Sequence, residues 1–265
     1  MIAPATAPLL LRLSDAAAVM ALAAVAANLL LPAPFAAVPE QLRPGAWSQD
    51  SISAPAALAL LAVNARLRAG WEKGWLIWAG LIGYLLYAYA LLSFDRVMNP
   101  AYLLYLAVLA ASVLAAVLFV RAARPQALTT ASRPPPRRIV AGLFGLLVVL
   151  FTALWLSQLL PAMGARQPLP GQTIFVLDLA FALPLTGLTA WLLWRGHPVG
   201  DLLAIPMLMK VAVLGVSVFL GTLYGWAFFG WPFPGGDLAL YALMGFGPAA
   251  LIWPVWRGLD VPGGS

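Results

Sequence analysis

TIFVLDLAFALPLTGLTAWLLW (residues 173–194) is followed, after the turn RGHPVG, by DLLAIPMLMKVAVLGVSVFLGTLYGWAFF (201–229). Each run exceeds the roughly 20 apolar residues that carry a helix across about 30 Å of hydrocarbon. Each also holds one ionisable side chain well inside it, Asp178 in the first and Lys210 in the second. An unpaired charge at membrane depth costs several kcal/mol, so the two opposite charges are the first candidates for function.

The same reading extends outward along the chain. Lys73 and Asp95 enclose 21 uncharged positions, Arg96 and Arg121 enclose 24, Arg138 and Arg166 enclose 27, and Lys210 and Asp237 enclose 26. Hydrophobic residues make up 63% of the chain and charged residues 9%, far below the roughly quarter usual in soluble domains. The ten-residue alternation of a membrane β-barrel is absent. The expected fold class is all-α: a single polytopic transmembrane domain, residues 1–265, of about eight helices. Their expected spans are 15–31, 53–68, 74–94, 100–120, 139–160, 173–194, 201–229 and 238–256. Ser14 and Asp15 stand as N-cap candidates for the first. The second is marked least clearly, because its apolar run is short and ends at Asn64 and Arg66.

Positive charge sets the orientation. With a cytoplasmic N-terminus, that side collects Arg12, Arg66, Arg68, Lys73, Arg121, Arg124, Arg133, Arg137, Arg138, Arg195 and Arg257. The opposite side keeps Arg43, Arg96 and Arg166. Removing the second span would spoil this alternation, so charge supports a helix that hydropathy leaves marginal, and both termini are expected to be cytoplasmic. The first span reads as a retained anchor, since Pro34 and Phe35 spoil the cleavage motif that would make it a signal peptide. Residues 32–52 are expected to form the largest extracytoplasmic loop, with a short interfacial helix. The basic, proline-rich stretch 121–138 is expected to link two groups of four spans, 1–120 and 139–265, beside anionic headgroups.

Prolines lie near both buried charges. Pro184 in the sixth span and Pro206 one turn before Lys210 each remove a helical donor, at expected kinks that leave the carbonyls of Ala180 and Leu202 free. Broken helices at that depth need a watery cavity or other helices to satisfy them. Its expected polar lining, beside Asp178 and Lys210, is Asn28, Asn64, Tyr84, Tyr87, Tyr105, Gln158 and Thr186. An extended lysine can reach outward far enough to meet Asp178 directly or through water.

Several function classes are closed. There is no cysteine and one histidine, His197, read as a solvated loop residue. Thiol chemistry, zinc-thiolate sites and bis-histidine haem are therefore excluded, and no metal or cofactor is expected. Nucleic acid is not expected as a partner, because the basic residues sit in short loops between spans. An enzyme is disfavoured, since Asp178 has no second buried carboxylate to work with. A retinal-type lysine is disfavoured too: opsins place it on the last span, and Pro206 stands where microbial opsins have an aspartate. Tryptophans near span ends read as an interfacial belt. Gly221-Thr-Leu-Tyr-Gly225 reads as close packing within the bundle, with homo-oligomer formation the rarer alternative.

Phe175-Val-Leu-Asp178-Leu-Ala-Phe181-Ala-Leu-Pro184, then Trp194-Arg195 and Pro206-Met-Leu-Met-Lys210, form one recognisable set. Tyr84-Leu-Leu-Tyr87-Ala-Tyr89 and Asn99-Pro-Ala-Tyr102-Leu-Leu-Tyr105 form another. Together, over about half the chain, they resemble an uncharacterised family of multi-spanning bacterial membrane proteins. That resemblance implies a bacterial plasma (inner) membrane location and no particular activity. The function expected from the residues is a small transporter or channel-like protein with an unknown small-molecule or ion ligand at Asp178 and Lys210. The alternative is a non-catalytic partner or sensor subunit in which that pair registers helices.

Overall fold

The computed structural model describes residues 1–95 and 97–261; Arg96, assigned above to the extracytoplasmic side, and residues 262–265 lie outside them. The chain is all-α apart from one two-residue ladder. Its long helices are α1 (Ala7–Leu30), α2 (Arg43–Arg68), α3 (Trp75–Phe94), α4 (Tyr102–Ala122) and α5 (Arg137–Ala165). Then come α6 (Gln172–Leu177), a π-helical turn (Asp178–Ala182), α7 (Leu183–Trp194), α8 (Pro198–Phe229) and α9 (Gly235–Gly258). The segment Gln172–Trp194 is one interrupted helix, and with it seven helices among the described residues are long and apolar enough to cross a membrane. Large apolar side chains cover the outside of the bundle, among them Leu30, Leu103, Val120, Val149 and Leu243, all exposed. In lipid that surface carries no penalty.

The remaining long helix is α2, and it corrects the expected boundaries. It starts at Arg43, with Pro44 in its first turn, and passes through Pro55, so residues 43–52 are helix rather than loop. Its 26 residues reach about 39 Å. Its polar side chains find partners on neighbouring helices, which hydropathy cannot register. Asn28 donates to Asp50 at 2.9 Å near one end, and Asn64 donates to Ser14 at 2.9 Å near the other, so α1 and α2 run antiparallel. Ser14 and Asp15 therefore do not cap α1, which begins eight residues earlier than expected with Pro8 in its first turn. Both side chains instead receive Asn64, and Asp15 also pairs with Arg68.

Helices α1 to α4 pack on one another, and α8 lies against both α2 and α3. The small residues foreseen at Gly221 do bring backbones together: a Cβ there would sit 3.2 Å from the Cα of Gly45 in α2. Helix α5 packs mainly on α7, and α9 mainly on α8.

One end of the bundle is tied by the chain ends. The N-terminal ammonium meets Glu72 at 3.0 Å, and Ile2 bridges Ala123. Strand β1 (Thr129–Thr130) pairs antiparallel with β2 (Leu259–Asp260), and Lys73 reaches Asp260 at 3.7 Å. The linker 121–138 is thus built into this end. Arg137 donates twice to the buried Asp201, both at 2.7 Å, joining the start of α5 to the start of α8. Removing one partner leaves a buried carboxylate without its bidentate donor. Arg137→Ala should lower stability by about 2 kcal/mol in a detergent unfolding titration, and adding Asp201→Ala should recover most of it.

Candidate functional site

A cavity of about 550 Å³ extends toward the end opposite those ties. Asp95, Val97, Gln41 and Leu42 lie at that end, and the cavity runs inward to Leu183, Thr186 and Lys210. Its walls are mainly apolar, among them Leu147, Phe151 and Leu154 of α5 with Leu214, Val218 and Met244 of α8 and α9. Helices α5 and α9 line it from different sides and share no extensive interface.

Asp178 is placed in this cavity by a break in its helix. Pro184 has no N–H, and its ring would clash with the Ala180 carbonyl in a regular α-turn. The chain widens there into the π-turn Asp178–Ala182, the kind of local bulge often found at functional sites. The proline's effect is thus a widened turn beginning at Asp178 itself. Pro206 leaves no comparable break, and α8 continues through it.

The carboxylate of Asp178 is 6% exposed and both its oxygens are occupied. The Tyr87 hydroxyl donates to Oδ1 at 2.8 Å, and the Trp155 indole N–H donates to Oδ2 at 2.9 Å. Trp155 is held by edge-to-face contact with Phe175, one turn before Asp178, at 5.0 Å between centroids. Three helical segments, α3, α5 and the π-turn, therefore meet at one carboxylate.

Lys210 reaches this group from the other side of Tyr87. Gly80 lets α8 lie close on α3, where a Cβ would fall 2.8 Å from Met209 Cβ, and this sets Lys210 beside Tyr87. The ammonium sits over the Tyr87 ring, 4.2 Å from its centroid. No Lys210–Asp178 ion pair within 4.0 Å forms among the described residues, and Lys210 Nζ has no hydrogen-bond acceptor there. The two charges are joined through Tyr87, whose ring face takes one and whose hydroxyl takes the other. Direct contact, allowed by the spacing, is not what the side chains adopt.

Of the other residues named from sequence, Gln158 and Thr186 line the same cavity. Asn28, Asn64, Tyr84 and Tyr105 do not. Tyr105 donates to Asn28 Oδ1 at 2.6 Å, Asn99 donates to Tyr105 at 2.8 Å, and Tyr84 pairs with Ser53 at 3.1 Å. Asn64 belongs to the Ser14–Asp15 network described above. These four sit in contacts among α1 to α4 and the loops joining them.

The expectation of no second buried carboxylate is corrected: Asp50 and Asp201 are also buried. Asp50 enters because α2 begins earlier than expected and carries it against Asn28. Neither lines the cavity. Trp155 is the site residue that sequence reasoning missed. Sequence carried no signal for it, because the expected span ended at residue 160, five residues on, whereas α5 runs to Ala165 and sets Trp155 well inside the helix. Trp75, expected in the interfacial belt, is buried, and the nearby Trp78, also buried, donates to Ser14 at 2.9 Å. His197 is exposed as expected, and its Nδ1 accepts from the Val199 N–H at the start of α8.

No protein-family model matches the chain, and no match was found among curated proteins or solved structures.

Proposed function

We propose that this chain is an eight-pass protein of the bacterial plasma membrane that admits a small molecule to the Asp178–Tyr87–Lys210 region, as a small transporter or channel-like protein. One observation carries this reading. A cavity of about 550 Å³ reaches from one end of the bundle to an ammonium that no described protein group accepts from. Ligand sites are typically concave, mostly apolar and furnished with a few convergent polar groups. With basic residues gathered at the tied end, the positive-inside rule favours cytoplasmic termini, with the Asp95 end of the cavity toward the outside. Helix α2 serves as the eighth span, its polar groups satisfied by neighbours rather than by lipid.

A second reading has its own support. Tyr87 and Trp155 clamp Asp178 between helices, as a registering device in a non-catalytic partner or sensor subunit would. Lys210 separates the two: registration needs a closed pair, and its ammonium instead faces the cavity.

The absence of cysteine makes the test direct. Single cysteines at Gln49, Gln158 and Leu214, which line the cavity, should react with a membrane-impermeant thiol reagent added from the extracytoplasmic side. Cysteine at Val108, which is fully buried in α4, should not. Protection of all three cavity positions from that side would leave the registering role as the better account.

A further inference from the structure

We infer that the cavity receives a monoanionic amphiphile, an apolar body ending in a carboxylate, with the carboxylate bound by Lys210. The inference rests on the reading of this cavity as a ligand site and adds the chemistry of the ligand. Its basis is an imbalance in hydrogen-bonding capacity. Asp178 presents two oxygens and each already has a donor, from Tyr87 and Trp155. Lys210 presents three N–H donors and none has a described protein acceptor. The unmet demand is therefore for an acceptor within hydrogen-bond reach of this half-buried ammonium, which Asp178 does not supply, and a carboxylate makes the stronger bond.

A cationic ligand fits less well. It would bring a second positive charge beside Lys210 and would have to share or displace the donors now on Asp178. The number of charges limits the anion. One ammonium faces the cavity, and no arginine is among the described lining residues. Multiply charged phosphates are usually met by forked guanidinium donors or helix N-termini. A single carboxylate matches one lysine.

The walls define the rest of the molecule. Leu147, Phe151, Leu154, Leu214, Val218 and Met244 offer an apolar surface between α5, α8 and α9. Asp95 lines the cavity at the C-terminal end of α3, where a carboxylate would meet like charge, so the anionic end points to Lys210 and the apolar body toward Asp95.

The test uses the full chain in neutral-lipid nanodiscs, with Leu214→Cys as reporter and decanoate, decanol and decylamine as probes. Decanoate should slow thiol labelling at about tenfold lower concentration than decanol, the equivalent of one charge-assisted hydrogen bond. Decylamine should protect no better than decanol. Adding Lys210→Met should erase the preference for decanoate, and Lys210→Arg should keep it. Equal protection by all three probes, or a preference that survives Lys210→Met, would overturn the inference and leave the accessible cavity standing. A reporter that does not label even without probe would remove the cavity reading and the inference together.

Discussion

Asp178→Leu is expected to destabilise the bundle by roughly 3 kcal/mol, because it removes the acceptor from one side of a buried charge system. Two donors, the Tyr87 hydroxyl and the Trp155 indole, lose the acceptor they share among the described residues. Lys210 at the same time loses its compensating negative charge in an apolar cavity. The reverse change should be mild. Lys210→Met leaves both donors on Asp178 and gives up a cation–π contact that is offset by ending the burial of an ammonium. Its effect should stay within about 1 kcal/mol. The double variant should recover part of the Asp178→Leu loss, with the two orphaned donors accounting for the remainder. Unfolding titrations of the four proteins in one detergent decide the matter. If Lys210→Met proves the more damaging substitution, the assignment of Asp178 as the satisfied partner is wrong.

Gly215→Leu should detach α9 from the bundle. A Cβ at Gly215 would lie 2.6 Å from the backbone nitrogen of Gly245 and 2.7 Å from its Cα. Backbone cannot step aside as a side chain can, so the helices must separate. Overpacking commonly costs about 1–3 kcal/mol, and backbone contact puts this case at or above the top of that range. The effect is magnified because α9 has its main interface with α8 alone. Gly142→Leu is the control, since nothing lies within 4 Å of a Cβ there. Limited proteolysis of the 230–258 region should accelerate in Gly215→Leu and not in Gly142→Leu. Equal resistance in the two would mean that α8 and α9 do not approach through these glycines.

The apolar stretches between charges were legible because a bilayer demands uninterrupted length. Asp178 and Lys210 stood out for the same reason, as the exceptions within it. The start of α2 was not legible. Ser48, Asp50, Ser53 and Asn64 look like loop chemistry until Ser217, Asn28, Tyr84 and Ser14 are seen to answer them. Polar groups that satisfy one another across helices leave no periodic trace in one strand of text. The same limit applies to Tyr87 and Tyr84, three residues apart on α3, which sequence alone does not separate into cavity and packing roles. Helices apolar on every side mark no face, so the rotation that sends Tyr87 to Asp178 and Tyr84 to Ser53 comes from packing alone.

The ties at the closed end have a mechanical consequence. The foot of α5 is fastened by Arg137 to Asp201, and the foot of α9 continues into the ladder with Thr129 and Thr130. Above those fastenings each helix leans chiefly on a single neighbour. They are placed like the two arms of a pair of tongs, joined at the end away from Asp95. Since α5 is about 43 Å long, a tilt of about 10° about its foot moves its far tip by about 7 Å. Such a swing would widen the cavity between α5 and α9 while the α1–α4 block keeps its shape.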